Sequence, residues 1–285
     1  MSKFKSGTIQ FASLLVLLGI FSLAGIRGEC QVNKPFRFVV YGDTRGGHKV
    51  HKNICDAIVK ATPAFVIHTG DLVDNSADIG QWRMFDEITT EMRSKFPFYP
   101  SRGNHDVRGK EYEARVTAPG TTGGKLYYSF NHGNSHFIAL AVDEISVYKE
   151  KSKQYVWFEN DLKEARKKAA HIFVFFHVPP YSIGSHGSDF DVREQLEPLF
   201  VRYGVRAVFN GHDHIYYRTI RNGIPFIVSG GGGAPLYYPD PKKGAIEGDK
   251  WERVNHYCVI EVKGESVVST AYRPDGTVIE SLKIK

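Results

Sequence analysis

Five short apolar runs, rich in Val, Ile and Phe, constrain the fold of this 285-residue chain more than any other feature. The runs are 36–41, 64–67, 96–99, 172–176 and 205–209. Runs of this length and composition are typical of buried strands. Apolar residues at helical spacing lie between them and predict amphipathic helices. Strands that alternate with helices indicate a layered α/β fold.

The last third of the chain has a different pattern. After Ile215, strand-like runs at 224–228, 257–262, 267–272 and 278–284 follow one another, with glycine-containing turns between them. This pattern predicts antiparallel strands rather than further strand–helix units.

Each of the five runs is followed by side chains that bind metals. They are Asp43, then Asp71, then Asn104 and His105, then His177, and finally His212, Asp213 and His214. Because ligands bind beyond the carboxyl ends of strands in α/β sheets, we expect these side chains at one edge. Oxygen and imidazole donors without thiolates suit Fe, Zn or Mn and argue against a structural zinc site. The donors outnumber those that one tetrahedral ion uses, which favours two ions.

The motifs at these positions resemble those of the calcineurin-like metallophosphoesterases, purple acid phosphatase-like relatives included. In chain order they are Gly42-Asp43-Thr44-Arg45, Gly70-Asp71-Leu72-Val73-Asp74-Asn75, Gly103-Asn104-His105-Asp106, His177 with Val-Pro-Pro after it, and Gly211-His212-Asp213-His214. The resemblance implies a four-layer αββα sandwich, in which two mixed β-sheets are flanked by helices. It also implies two divalent or trivalent metal ions (Fe, Zn or Mn).

The same resemblance implies a role for each motif residue. Asp71 would bridge the two ions, with Asp43 and His214 on the first ion and Asn104, His177 and His212 on the second. The nucleophile would be a hydroxide held by the ions. Asn104 and His105 would face the substrate, and His105 would protonate the leaving-group oxygen while Asp106 orients its imidazole and raises its basicity.

Two positions depart from the family pattern. Arg45 stands where many members have a histidine ligand of the first ion, and Asp74 stands where purple acid phosphatases have a tyrosine. The first ion is therefore short of one protein ligand, and it takes an extra water, recruits His48 or Asp74, or binds weakly. We expect Arg45 to clamp the substrate phosphate, because a planar guanidinium suits that geometry.

The remaining histidines carry weaker signals. His186 lies in a glycine- and serine-rich stretch, where a substrate contact and no role are equally well supported. His68 lies inside an apolar run and is expected to be structural, His51 reads as helix surface, and His132 and His136 flank a glycine turn and are not expected to be ligands.

The N-terminus predicts export. Lys3 and Lys5 precede an apolar run at 11–26, the pattern of a secretory signal peptide. This run is shorter than the roughly 20 apolar residues of a membrane span. We therefore expect a signal peptide at 1–28, a metallophosphoesterase domain at 29–285, and a secreted or periplasmic protein without a stable span after cleavage. An uncleaved signal that anchors the protein in a membrane is the alternative.

The net charge of +6 would suggest a nucleic-acid partner. Residues 1–28, however, contain Lys3, Lys5 and Arg27 and no acidic residue, so half of this charge belongs to the expected signal. We therefore expect no nucleic-acid binding.

The expected function is an exported binuclear metal-dependent phosphoesterase that hydrolyses phosphomonoesters. Its substrate would be a small phosphorylated molecule or a phosphoprotein. A phosphodiesterase or nucleotide hydrolase that uses the same site is the first alternative. A catalytically silent metal-binding module is the second, and the intact motif Asn104-His105-Asp106 argues against it because such a module needs no proton donor.

Overall fold

Two β-sheets lie at the centre of the structure, a computed structural model that describes Met1 and residues 34–108, 110–116, 118, 122–123, 126–142 and 149–285. Within these ranges the strands are β1 (Phe36–Tyr41), β2 (Phe65–His68), β3 (Phe98–Pro100), β4 (Thr122–Gly123), β5 (Tyr128–His132), β6 (Ser135–Ala139), β7 (His171–Phe175), β8 (Ala207–Asn210), β9 (Tyr216–Arg221), β10 (Ile224–Ser229), β11 (Lys250–Glu252), β12 (Tyr257–Lys263), β13 (Ser266–Tyr272) and β14 (Val278–Ile284). The helices are α1 (His48–Ala61), α2 (Ile79–Lys95), α3 (Glu111–Arg115), α4 (Lys153–Lys168) and α5 (Phe190–Tyr203), with a 3-10 turn at Pro241–Lys243.

Both sheets are mixed. The six-stranded sheet has the order β14-β13-β12-β1-β2-β3, and the eight-stranded sheet has the order β11-β9-β10-β8-β7-β6-β5-β4. Strands β1, β2 and β3 are parallel neighbours, and so are β6, β7, β8 and β10. The outer strands β12–β14 and β4, β5, β9 and β11 pair in antiparallel fashion.

Aromatic side chains fill the space between the two sheets. The ring of Phe38 on β1 lies 5.1 Å from Phe137 on β6 and 5.3 Å from Phe173 on β7, measured between centroids. All three side chains are fully buried, and burying one phenylalanine contributes about 1.5–3 kcal/mol. This cluster holds the sheets face to face.

Helices cover the outer face of each sheet. Ile54 of α1 and Met92 of α2 pack with Val66 of β2 on the six-stranded sheet. On the eight-stranded sheet, Phe158 of α4 and Leu196 of α5 belong to one buried cluster with β7 and β8. The order helix, sheet, sheet, helix is the four-layer sandwich that the family resemblance implies, and the prediction of fold class is confirmed.

Side-chain caps determine where the longer helices begin. The Asp78 carboxylate accepts hydrogen bonds from the backbone N–H groups of the first turn of α2, and Ser152 and Asp189 cap α4 and α5 in the same way. Such caps satisfy backbone donors that have no partner within the helix.

The strand predictions agree with the structure to within two residues at each end. The sequence pattern did not predict β4, β5, β6, β9 or β11, of which β5 and β6 form a hairpin with polar residues at and beside its turn. The expected signal peptide at 1–28 lies outside the described residues. Among the described helices, none is long and apolar enough to cross a membrane.

Candidate metal centre

The predicted ligands converge on one edge of the sandwich. Asp43, Asp71 and Asn104 follow the parallel strands β1, β2 and β3, while His177 and His212 follow the parallel strands β7 and β8. The carboxyl ends of parallel neighbours meet at the same edge of a sheet, so the two facing sheets bring both sets together. Ligand atoms of Asp43, Asp71 and His177 lie within 4.8 Å of one another.

Three of these residues have an unusual backbone conformation. Asp43, Asp71 and His212 have φ angles of 59°, 55° and 71°, in the left-handed region that non-glycine residues rarely adopt. Each such residue costs about 1–3 kcal/mol and persists only where its surroundings enforce it, typically at functional sites. The N–H of Asp43 is bound to the carbonyl of Gly70 at 3.0 Å, which fixes one of these turns.

Gly103 allows the backbone to approach the shared carboxylate. A Cβ atom at this position would clash with the backbone nitrogen and the carboxylate of Asp71. The N–H of His105 donates to Asp71 Oδ1 at 2.9 Å, so the loop after β3 holds this carboxylate in place. Glycine is therefore required before Asn104.

We call Asn104, His177 and His212, with the shared Asp71, the second site. His177 Nε2 lies 3.0 Å from Asn104 Oδ1, 3.2 Å from His212 Nδ1 and 3.4 Å from Asp71 Oδ1. His177 Nδ1 is bound to the carbonyl oxygen of Thr69 at 2.9 Å, which can only accept, so the ring donates there and turns Nε2 toward the cluster.

Electrostatics draws a positive charge to the second site. Burial opposes the charged form of His177, but the carboxylates of Asp71 and Asp43 outweigh it and raise the pKa of this histidine. Burial, reinforced by His177, lowers the pKa of His212 to about 2. His212 is therefore neutral, as a metal ligand must be. Oxygen and imidazole atoms gathered at these distances fit a metal ion.

We call Asp43 and His214, with the shared Asp71, the first site. His214 Nδ1 is bound to the carbonyl oxygen of Pro235 at 2.7 Å. Its other nitrogen, Nε2, is buried without a hydrogen-bond partner in the described part of the chain and lies 3.5 Å from Asp43 Oδ1. Burial raises the pKa of Asp43. A cation between the two atoms would satisfy the orphaned nitrogen and lower the cost of the buried carboxylate.

Arg45 lies beside the first site. Its Nε atom is 3.5 Å from Asp71 Oδ2, and its Nη1 atom forms an ion pair of 2.8 Å with Asp74 Oδ1. Asp74 is thereby engaged by the guanidinium, and His48 is exposed at the start of α1. The structure therefore puts Arg45 itself, rather than a recruited Asp74, next to the Asp71 carboxylate.

His105 is oriented by Asp74, not by Asp106. Its Nδ1 atom lies 2.7 Å from the backbone oxygen of Asp74 and 3.4 Å from the Asp74 carboxylate, while Nε2 lies 4.0 Å from Asp71 Oδ2. The Nδ1 proton is donated to a carbonyl, so Nε2 faces the centre. The sequence did not reveal this role of Asp74. The available signal was the position of Asp74, three residues after Asp71, in the second motif.

The expectation that Asp106 contacts the imidazole of His105 is wrong. Its buried carboxylate accepts hydrogen bonds from the backbone N–H groups of Asp71 at 2.8 Å, Gly103 at 2.9 Å and Leu72 at 3.0 Å. Burial, together with the charge of Asp71, raises the pKa of Asp106 to about 8. Asp106 therefore ties the loop after β2 to the loop after β3.

A family model, Calcineurin-like phosphoesterase, matches residues 36–216. This range covers more than half of the chain and contains every residue of both sites. The chain belongs to the calcineurin-like phosphoesterase family. Members of this family act on phosphorylated substrates, and the purple acid phosphatases among its relatives imply divalent or trivalent metal ions.

Purple acid phosphatases are prominent among the relatives of this calcineurin-like phosphoesterase. Purple acid phosphatase 18 of Arabidopsis thaliana is 32% identical over 204 residues, which cover 66% of this chain and 45% of that protein. The chain thus spans about half the length of the curated relatives it matches.

Solved structures share the fold at lower identity. Purple acid phosphatase PPD1 from yellow lupin (Lupinus luteus) seeds superposes with a TM-score of 0.79 at 19% identity, covering 90% of this chain and 54% of that one. GAP50, the anchor in the inner membrane complex of Plasmodium, superposes with a TM-score of 0.69 at 19% identity, covering 88% and 89%.

In this calcineurin-like phosphoesterase, Asp213 fixes the loop that carries His186. Its buried carboxylate accepts from the N–H of His186 at 2.9 Å and from the hydroxyl of Ser182. The His186 ring lies 4.0 Å from the His212 ring, which puts it at the edge of the second site. The sequence pattern did not assign this role, although an acid between two predicted ligands was a visible signal.

Tyr237 borders the first site. The sequence did not decide whether this residue lies at the rim of the pocket or packs in the core. Its ring stacks on His214 with 4.1 Å between centroids and an interplanar angle of 19°. It also lies 5.5 Å from His186. Both rings form the rim of the centre.

The other histidines are structural. His68 is buried and accepts from the N–H of Gly70, as expected. The expectation that His51 lies on a helix surface is wrong, because its ring is buried against Tyr41 and Phe85 on the inner face of α1. His136 is bound to Asn131 and Asp161, away from both sites.

Proposed function

We propose that this protein is a binuclear metal-dependent hydrolase of phosphate esters, with phosphomonoesters as its substrates. The observation that carries the proposal is the pairing of two of the three predicted imidazole ligands with a carbonyl on the far side of the ring. His177 is bound to Thr69 and His214 to Pro235, so the second nitrogen of each ring faces carboxylate oxygens. Ring orientation by an outer carbonyl is the usual arrangement around metal-bound histidines.

Asp43 and His214 would hold the first ion, Asn104, His177 and His212 would hold the second, and Asp71 would be shared. Bound ions would supply Lewis acidity, which neutralises phosphoryl oxygens and makes water more acidic. Every donor is oxygen or imidazole, which suits Fe, Zn or Mn. The two departures from the family pattern lie at the first site alone.

Residues of the chain would then position the ester and move the proton. The Arg45 guanidinium, 17% exposed, would bind phosphate oxygens in two places, as a planar fork does. Asn104 and His186 would contact the same phosphate from the other side. His105, whose Nε2 faces the centre, would deliver a proton to the leaving oxygen, a step that contributes about 10²–10⁴-fold.

The fold is also compatible with a catalytically silent module, since a structure described as an anchor shares it. The orientation of His105 by Asp74 favours catalysis, because a silent module gains nothing from a positioned proton donor. Phosphodiester or nucleotide hydrolysis at the same site is the alternative within the class. We further propose that residues 1–28 are an export signal and that the mature enzyme is secreted or periplasmic.

The proposal is tested with the purified chain and 4-nitrophenyl phosphate. We expect hydrolysis that is abolished by a chelator and restored by added Zn²⁺, Mn²⁺ or Fe. Bis(4-nitrophenyl) phosphate in parallel assays separates monoester from diester activity. Metal-dependent binding of phosphate without hydrolysis of either compound would favour the silent module.

The His105→Asn variant tests the proton donor separately from the metal ligands. We expect turnover to fall by about 10²–10⁴-fold while the metal content stays that of the wild type. His132→Asn, a half-buried histidine away from both sites, is the matched control and should leave turnover unchanged. Loss of metal from His105→Asn would show that His105 is a ligand and not the acid.

A further inference from the structure

A cavity of about 380 Å³ lies beside the candidate metal centre. Its floor consists of Leu72 and Val73 from the loop after β2 and of Phe85 and Ile88 from α2. All four side chains are apolar, so the floor is an apolar surface, while polar and charged residues form much of the remaining lining. Pockets that bind small organic groups have about this size, roughly 300–1,000 Å³, and this kind of lining.

The cavity shares a wall with the metal centre. Arg45 and Asp74 line the cavity, and the same two residues form the ion pair that lies beside Asp71. The backbone oxygen of Asp74 also binds His105 Nδ1 at 2.7 Å. The cavity is therefore separated from the proton donor by a single residue.

This position determines which part of a substrate can enter. The proton donor marks the side from which the alcohol of a phosphate ester departs. A group attached to that alcohol would extend past Asp74 and over the apolar floor. We propose that this cavity binds the leaving group of the substrate and that it selects uncharged aromatic or bulky apolar groups. The inference rests on the proposed function of the metal centre.

The charges around the cavity support an uncharged occupant. Arg45 is already paired with Asp74, and the Asp74 carboxylate lies at the opening, where it repels an anionic leaving group. Gln81 also lines the cavity, but its side-chain oxygen accepts from the backbone N–H groups of Asp74 and Asn75 at 2.9 Å. His48 also lines the cavity, but the one permanently charged cation of the lining, Arg45, is already ion-paired with Asp74.

The test compares benzyl phosphate with ethyl phosphate, two esters of primary alcohols that differ mainly in apolar size. We expect kcat/KM for benzyl phosphate to exceed that for ethyl phosphate by about 10- to 100-fold, the range that one apolar group in a pocket provides. A ratio near one would overturn the inference while leaving the proposed phosphatase function intact.

Two substitutions of Ile88 test the location of the cavity in opposite directions. Ile88→Phe narrows it and should reduce the benzyl preference to near one. Ile88→Ala enlarges it and should raise kcat/KM for a naphthylmethyl ester relative to the benzyl ester. Met84→Phe, one turn earlier on α2 and exposed, is the matched control and should change neither ratio. Unchanged ratios in both Ile88 variants would place the leaving group elsewhere and refute the inference.

Binding of phosphonates keeps the two proposals distinguishable. If neither ester is hydrolysed, the proposed function fails, and calorimetry with benzylphosphonate and ethylphosphonate still measures the cavity. We expect the benzyl compound to bind about tenfold more tightly, and more weakly in Ile88→Phe. Equal dissociation constants would contradict the inference whatever the activity.

Discussion

The second site surrounds its centre more completely than the first site does. Around His177, ligand atoms of Asn104, His212 and Asp71 lie at 3.0–3.4 Å. At the first site, Asp43 and His214 are 3.5 Å apart, and Arg45 lies where many family members supply a histidine. A guanidinium near Asp71 competes with an ion for the same carboxylate. The difference between the two candidate sites is that the second gathers only oxygen and imidazole donors, whereas the first has a fixed positive charge beside its carboxylates.

The largest effect should follow from the residue that both sites share. Asp71→Asn removes the bridging charge, so we expect both ions to bind poorly and turnover to fall by roughly a thousandfold or more. Atomic spectroscopy of the purified variant, together with a phosphomonoester assay, measures both quantities. The comparison between the sites would be wrong if the variant kept its metal content, because the sites would not then share a ligand.

Asp106 should affect stability more than the chemistry. In Asp106→Asn, the amide NH₂ group would face backbone N–H donors that now reach a carboxyl oxygen. We expect about 3 kcal/mol less stability toward urea, because each buried donor left without an acceptor costs about 1–3 kcal/mol. The folded Asp106→Asn protein should keep the wild-type dependence of turnover on pH, because His105 determines that dependence. If the variant instead shows a shifted pH profile and unchanged stability, Asp106 orients the imidazole of His105 after all.

Arg45→His should reduce the difference between the two sites. The new imidazole would complete the first site in the family pattern, so we expect calorimetric titration of the metal-free protein to show about tenfold tighter binding of the weaker ion, or about 1.4 kcal/mol. KM for the phosphomonoester should rise, because the phosphate clamp is lost. Arg37→His, an exposed arginine on the far end of β1, serves as the control. If both metal affinity and KM are unchanged, Arg45 neither weakens the first site nor clamps the substrate phosphate.

Another effect concerns the free energy of unfolding below neutral pH. Burial lowers the pKa of His51 to about 3 and that of His256 to about 4, from 6.5. The unfolded chain binds these protons near pH 6.5 while the folded chain does not, so stability is full above pH 6.5 and falls as the pH decreases below it. His51→Leu should flatten this decrease in urea unfolding experiments from pH 7 to 4. An identical slope in His51→Leu would show that His51 is protonated in the folded protein.

The fold could be predicted largely from the apolar runs, because buried strands in an α/β sandwich have a distinctive composition. The hairpin of β5 and β6 escaped prediction because β5 alternates apolar with polar residues and the turn is polar, and the apolar run that begins at Phe137 in β6 was not recognised as a strand. The identity of the ligand side chains followed from their position after the strands. Their convergence depends on the packing of two sheets, which only the structure reveals.

Contacts around the ligands could not be predicted. Asp106 follows His105 directly in the sequence, yet the backbone turns its carboxylate toward the N–H groups of Asp71 and Leu72. Asp74 reaches His105 from another loop. In both contacts the two partners are more than 30 residues apart in the sequence, and loop geometry brings them together. Residue order alone does not predict such contacts. His51 was misassigned because α1 buries a wider face than its aliphatic stripe indicated.

The most direct test of the account is the number of metal ions bound by the purified chain, measured by atomic spectroscopy alongside phosphomonoester turnover during stepwise removal of metal. The account predicts close to two ions per chain, of which the first-site ion leaves at lower chelator concentration, and activity that falls with its departure. Full turnover in a chain that holds no metal, or that retains only one ion throughout, would contradict it.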